Sequence, residues 1–134
     1  MTDSLQFVCT VVTPEKVVLE REVRFVAVPA HDGEIGFLKG RAPLVVKLDV
    51  GRLRVETDEG TQELFIDGGF AEMVHDRLTI LTEDARSPEE LDREGVLAAR
   101  QDAAGQDSVS DEAFAARQRA LKRARTQLRM IDTS

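Results

Sequence analysis

The sequence predicts an all-β N-terminal antiparallel β-sandwich followed by a C-terminal α-helical hairpin. Apolar residues alternate with polar ones in several short runs before residue 86, which is the signature of strands with one buried face. Five of the six Phe, seven of the nine Gly and three of the four Pro fall in that same part. The 48 residues after Arg86 are instead rich in Ala, Arg, Gln, Glu and Leu, which are good helix formers. The domain boundary is therefore expected between residues 85 and 86, with 1–85 as the sandwich and 86–134 as the hairpin.

The strands come first. Leu5, Phe7, Cys9 and Val11 sit two apart and share one face. Val23, Phe25 and Ala27 repeat the pattern with Arg24 opposite. Leu53 and Val55 alternate with Arg52, Arg54 and Glu56; Leu64 with Ile66 and Leu78 with Ile80 complete the set. Thr13-Pro14-Glu15, His31-Asp32-Gly33, Asp58-Glu59-Gly60 and His75-Asp76 separate these runs with turn chemistry. Short strands at such spacing bury their faces against a second sheet, and the absence of strand–helix–strand alternation disfavours a doubly wound parallel sheet. Asp67-Gly68-Gly69 lacks the third Gly and the following helix of a dinucleotide fingerprint, and reads as a bend or bulge between two strands.

The helices follow. Ser87-Pro88-Glu89-Glu90 is a helix start, with Ser87 as cap, Pro88 in the first position and Glu90 closing a capping box. Leu91, Val96, Leu97 and Ala98 give a modest apolar stripe that stops at Gly105. Ser108 and Ser110 offer caps to a second helix with a stripe of Phe114, Leu121, Leu128 and Ile131, and Ala113, Ala116, Ala120 and Ala124 beside it allow close approach. Eight acids lie in residues 87–112, and six bases with no acid lie in 117–129. Antiparallel docking brings an acidic helix against a basic one, through exposed pairs worth at most about 1 kcal/mol each.

Composition also excludes functions. The formal net charge of −7 disfavours nucleic acid and anionic lipid as partners, and the lack of Trp and Tyr removes the usual stacking platforms for bases and sugars. No run of about 18 apolar residues is present, so direct lipid insertion is not expected. Met1 to Phe7 has neither a positive region nor an apolar one, so no signal peptide is expected. Cys9 alternates with core positions and reads as an inert buried thiol. His31, Asp32 and Glu34 read as solvated turn groups rather than cation ligands, and His75 lies in another turn. No metal site and no catalytic constellation is assigned.

Two long stretches then carry a resemblance. Val28-Pro29-Ala30-His31-Asp32-Gly33-Glu34-Ile35-Gly36-Phe37-Leu38, running into Gly40-Arg41-Ala42-Pro43-Leu44, resembles the V-P-x-x-x-G-E-[LI]-G-x-L-P-G-H-A-P-L signature of the epsilon subunit of bacterial F-type ATP synthases. Asp67-Gly68-Gly69-Phe70-Ala71-Glu72-Met73, followed by Leu78 to Ala85, is similar to that family's G-G-F-x-E-V…V-T-[VI]-L-A-x-x-A segment. Ala120-Leu121-Lys122-Arg123-Ala124 with Leu128 resembles its second C-terminal helix. Lys39 replaces the usual Pro and Arg41 the usual His.

The resemblance implies a ten-stranded sandwich plus hairpin, in a non-catalytic subunit of the central rotor that couples ion-driven rotation to ATP synthesis. It implies contact of the Gly33-Glu34-Ile35-Gly36 turn with the c-subunit ring. It implies contact of Gly40, Arg41, Ala42, Pro43 and Leu44 with the gamma subunit, with an apolar sandwich face supplying more of a joint of about 1,000 Å² or larger. The helices would regulate: folded they permit turnover, and extended along gamma they block ATP hydrolysis in the alpha/beta head. The cations assigned to that contact are Arg117, Arg119, Lys122, Arg123, Arg125 and Arg129. Some members hold ATP in the hairpin through an [IL]-D-x-x-R-A motif and arginines of the second helix. Asp92 and Arg123 match, whereas Gly95, Val96 and Gln127 do not, and the loss of two cations weakens the hold on a triphosphate. No resident cofactor is expected. Mitochondrial counterparts would carry an acid-poor transit segment, so the expected location is the cytoplasmic face of the bacterial inner membrane. The alternative from a different class is a free-standing sandwich module whose hairpin self-associates.

Overall fold

A computed structural model describes residues 5–106 and 109–133 of the chain. Strands β1 (Phe7–Val12), β2 (Val17–Val23), β3 (Phe25–Ala30), β4 (Gly33–Phe37), β5 (Leu44–Thr57), β6 (Gly60–Val74) and β7 (Arg77–Leu81) form one hydrogen-bonded sheet in the order β2-β1-β7-β6-β5-β3-β4. A short strand, β8 (Ala85–Arg86), pairs with β6. The sheet folds over itself as a sandwich around Phe7, Cys9, Val11, Val26, Val28, Leu53, Leu64, Ile66, Met73, Leu78 and Ile80. Along the sheet order, neighbouring strands run antiparallel with one exception. β1 and β7 are parallel, with Cys9 opposite Leu78 and Val11 opposite Ile80. A parallel pair needs a long connection, and everything from β2 to β6 lies between them.

The expected alternation holds in β1, where Phe7, Cys9 and Val11 are buried, but Leu5 precedes the strand and is 62% exposed. The run Val23, Phe25, Ala27 is not one strand. The chain bends at Arg24, whose N–H donates to the Glu56 carbonyl at 2.7 Å and whose guanidinium pairs with Asp58. One residue spent in that bend reverses the face that turns inward, so the core receives Val26 and Val28. Phe25 lies on the other side, over Gly36 and 5.8 Å from the Arg54 guanidinium. A side chain at position 36 would strike that ring, which is why glycine stands there. The Gly33–Gly36 segment, expected as a turn, is most of β4, an edge strand paired only to β3 along the sheet order.

The long β5–β6 hairpin belongs to both layers. Its Leu44–Leu48 half pairs with Gly69–Met73, beside β7, and its Val50–Thr57 half pairs with Gly60–Asp67, beside β3. Between the halves the inward face changes parity in both strands. Val46 and Leu48 give way to Leu53 and Val55, while Leu64 and Ile66 give way to Ala71 and Met73. Gly68 and Gly69 take this change with φ of +74° and +109°. The polar groups of the bend are satisfied locally: the Asp67 N–H donates to Thr82 Oγ1 and to the Asp84 carbonyl, both at 3.1 Å. The glycine pair therefore makes the expected bend, but inside one strand rather than between two. Dividing β5 and β6 at this point turns the eight strands seen among the described residues into the ten that the resemblance implies.

The second unit, Arg86–Ser134, is helical. Pro88–Glu90 forms a single 3-10 turn, and the Glu90 carboxylate accepts the Ser87 N–H and the Ser87 hydroxyl, each at 3.0 Å. The turn ends at Leu91, so Leu91 stands outside the stripe assigned to it. Helix α1 (Arg93–Ala104) starts anew with Asp92 as cap, its Oδ2 accepting the Gly95 N–H at 3.2 Å, and it stops at Gly105 as expected. Helix α2 (Asp111–Thr133) is capped by Ser110, whose Oγ accepts the Ala113 N–H at 3.0 Å; Ser108 lies outside the described residues. Phe114 is half exposed, and the covered face of α2 runs through Ala113, Arg117, Ala120 and Ala124, the last being buried.

A Cβ at Gly69 would overlap the Leu81 carbonyl oxygen, and the backbone there is left-handed. Gly69→Ala is therefore expected to cost about 3 kcal/mol or more in urea unfolding, whereas Thr61→Ala, at an exposed position of the same strand, costs under about 1 kcal/mol. Equal midpoints for the two variants contradict this reading of the bend.

Candidate docking surfaces

The change of parity at Gly68–Gly69 decides which side chains of the following half-strand face water. With Ala71 and Met73 turned inward, Phe70 and Glu72 turn outward. Phe70 stands directly opposite Leu81 on β7, each 52% exposed, and Val45 on β5 shows 63% on the same face. An aromatic and two aliphatic side chains thus form an exposed apolar patch, continued by a cleft of about 380 Å³ that Pro14, Thr13 and Val12 help to line. A single exposed apolar residue is ordinary, but a contiguous group is a docking feature. Sequence reasoning required an apolar sandwich face without naming these residues. The signal lay in Gly-Gly followed by Phe, once a reversal of facing is granted at the glycines.

The segment Gly40-Arg41-Ala42-Pro43-Leu44 leads directly into Val45 and is held in place. The Gly40 N–H donates to Asp76 Oδ1 at 2.7 Å, with Gly40 at φ +86° and Asp76 in a left-handed two-residue turn with His75. The Arg41 N–H donates to the Leu38 carbonyl at 3.3 Å, and the Arg41 guanidinium lies 5.4 Å from the Phe37 ring centroid. Residues 40–43 are exposed and Leu44 half-buried, so this loop presents a set surface beside the patch.

Gly33, Glu34, Ile35 and Gly36 lie on β4, whose far end leads to that loop, and the two groups meet where the Arg41 Nη1 donates to the Gly36 carbonyl at 3.5 Å. Gly33 and Glu34 are exposed, Ile35 and Gly36 half-buried. Leu38, just beyond, is 59% exposed and joins them as an apolar neighbour that the sequence reading left out of the set. His31 and Asp32 stand exposed at the preceding turn, and among the described residues no group of three His, Cys, Asp or Glu side chains is close enough to hold a metal ion. Cys9 is fully buried, and desolvation pushes its thiol up to about 12, so it keeps its proton at neutral pH and is no nucleophile.

On the hairpin, the six cations of α2 divide. Arg119, Arg125 and Arg129 are exposed, Lys122 and Arg123 are half-buried, and Arg117 is engaged with the end of α1. An ion pair that joins the helices, Arg93–Asp132, runs against the expected polarity, with the base on the acidic helix and the acid on the basic one. Asp92 is committed to its role as cap. Arg93 and Arg100, seven apart on α1, meet Arg125 and Arg129, four apart on α2, around a groove of about 660 Å³ with Leu97 and Leu121 in its wall. The spacing of seven between Arg93 and Arg100 places them on one helical face, a signal present in the sequence.

A sandwich that displays an apolar patch next to an anchored loop, followed by a hairpin whose second helix is basic, is a protein-docking subunit in design. The comparisons agree. Residues 6–88 match the family model for the ATP synthase delta/epsilon chain β-sandwich domain. The ATP synthase epsilon chain of Rhodopirellula baltica is 40% identical over 121 residues, covering 90% of this chain and 94% of the relative. That of Caldicellulosiruptor saccharolyticus is 35% identical over 129 residues, covering 95% and 94%. Among solved structures, the Euglena gracilis mitochondrial ATP synthase, OSCP/F1/c-ring in rotational state 1, contains a chain with TM-score 0.72 and 25% identity, covering 98% of this chain and 81% of that one. A chain of the Tetrahymena thermophila mitochondrial ATP synthase central stalk and c-ring shares the fold, with TM-score 0.70 and 15% identity over 97% and 99% of the two chains. The chain belongs to the ATP synthase epsilon chain family. It is a non-catalytic subunit of the ATP synthase, and no helix among the described residues is long and apolar enough to cross a membrane.

Proposed function

We propose that this chain docks through its sandwich at the foot of the gamma subunit and on the c-subunit ring, on the cytoplasmic face of a bacterial inner membrane, and that it restrains ATP hydrolysis through its hairpin. The observation that carries the gamma contact is the patch Val45, Phe70 and Leu81, contiguous in chain with Gly40 to Leu44. A rotor joint must hold under torque, and an aromatic side chain flanked by aliphatic ones at a preformed surface suits an anchoring position in a buried interface. β4, with Glu34 exposed near a sheet edge, is the proposed c-ring face: its carboxylate accepts hydrogen bonds or pairs with a cation of the ring's polar loops.

The hairpin supports a regulatory part. Its helices bury few side chains, namely Val96, Ala103, Ala124 and Met130, so its closed form is weakly biased. Arg119, Arg125 and Arg129 are exposed for pairing with acidic groups of the alpha/beta head when the tail extends. Deletion of residues 87–134 from the assembled complex is expected to raise its ATP hydrolysis rate several-fold; an unchanged rate contradicts the regulatory role.

The four-arginine groove favours a second reading, ATP as a regulatory ligand of the hairpin. Arg100, Arg125 and Arg129 supply cations of the kind missing at Gly95 and Gln127, while Arg93 is paired with Asp132 in the wall of the same groove. Calorimetry with the full chain is expected to show millimolar or tighter ATP binding that Arg100→Gln with Arg125→Gln abolishes. No heat at millimolar ATP removes this reading and leaves the docking role untouched.

A further inference from the structure

Helix α1 ends badly by its own sequence. Its last turn carries no base and includes Asp102, so the negative end of its dipole is met by a like charge. The Gly105 N–H donates to the Gln101 carbonyl at 3.1 Å and the Gln106 N–H to the Ala103 carbonyl at 3.2 Å, but no cation of α1 meets this end. α2 supplies what is missing. Arg117 Nε donates to the Ala103 carbonyl and Nη2 to the Ala104 carbonyl, both at 3.3 Å, and the Arg117 side chain is half-buried there. At the opposite end of the hairpin the helices are joined by Arg93 and Asp132, two side chains that are each 54% exposed and therefore screened by salt.

We propose that Arg117 is the clasp that holds α1 on α2, and that it sets the ratio of closed to open hairpins. Its planar fork meets two carbonyl oxygens at a helix end where no other cation of α1 stands, a geometry that a single ammonium group cannot reproduce. Arg117 thus works on the hairpin itself rather than on the head, unlike Arg119, Arg125 and Arg129. The Arg93–Asp132 pair is the weaker second clasp, and it gives the closed form a salt dependence. The regulatory consequence rests on the reading that an open hairpin inhibits; the clasp does not.

The test uses the full chain with spin labels at Ala99→Cys and Ala115→Cys, both exposed positions on the two helices, and pulsed-resonance distances between them. Cys9 is buried with its thiol protonated and takes no label at neutral pH. Arg117→Gln is expected to raise the open-to-closed ratio about tenfold with helicity retained, Asp132→Asn less than that, and Arg117→Lys to fall between parent and Arg117→Gln. A distance distribution for Arg117→Gln that matches the parent overturns the clasp. So does opening that the lysine variant does not reduce. The same Arg117→Gln chain, assembled into the complex, is expected to deepen inhibition of ATP hydrolysis. Opened hairpins with unaltered inhibition confirm the clasp and overturn the regulatory reading instead.

Discussion

The fold depends on one passage of backbone, where the β5–β6 hairpin crosses from one layer of the sandwich to the other. At Gly68 and Gly69 the chain must take positive φ and lie against the Leu81 carbonyl so closely that no side chain fits. Two consequences follow from that constraint. The inward face changes parity, which lets one pair of strands feed Leu53, Leu64 and Ile66 to one half of the core and Val46, Ala71 and Met73 to the other. The same change turns Phe70 out to meet Leu81 and Val45. Without it, the parity set by Leu64 and Ile66 would carry Phe70 into the core and leave Ala71 and Met73 in water. The closure of the sandwich and the exposure of its docking patch are thus one structural event.

The helical unit obeys a different economy. Its stripe is thin, its buried residues are small apart from Val96 and Met130, and contacts at both hairpin ends are made by arginines. Apolar burial on the scale of the sandwich would fix the helices in one arrangement; a seam made largely of Ala, closed by charge-assisted bonds, leaves a second arrangement within reach. The docking and regulatory roles proposed above are served by this division, with large apolar side chains closing one unit and arginine contacts closing the other.

Much of this was legible in the sequence because period-2 alternation and helix formers are local signals. β1, the turns at His31-Asp32 and His75-Asp76, the cap at Ser110 and the stop at Gly105 follow from residue types alone. The misreadings share one cause, since parity carries no mark in the sequence where a bend consumes a residue. Arg24 splits a run that looks continuous, and Gly68–Gly69 bend within a single strand that looks like two. Gly33–Gly36 read as a turn because glycine is permissive, whereas Gly36 is there to sit beneath the Phe25 ring. On the candidate surfaces, motif residues 40–44 were legible, but the patch needed the register of β5, β6 and β7 to bring Val45, Phe70 and Leu81 together. Charge arithmetic likewise separated acidic from basic helix, yet the pair Arg93–Asp132 reverses that pattern, because helix ends meet by geometry rather than by average charge.

The most direct measurement is the affinity of the full chain for the gamma subunit, compared between the parent, Phe70→Glu and Leu5→Glu. Leu5 is equally apolar and exposed but precedes β1, away from the Phe70–Leu81 pair in sequence and register. Docking through the patch predicts a loss of at least about tenfold for Phe70→Glu, equivalent to about 1.4 kcal/mol, and a change within about twofold for Leu5→Glu. Parent affinity in the Phe70 variant, with the fold intact, contradicts it.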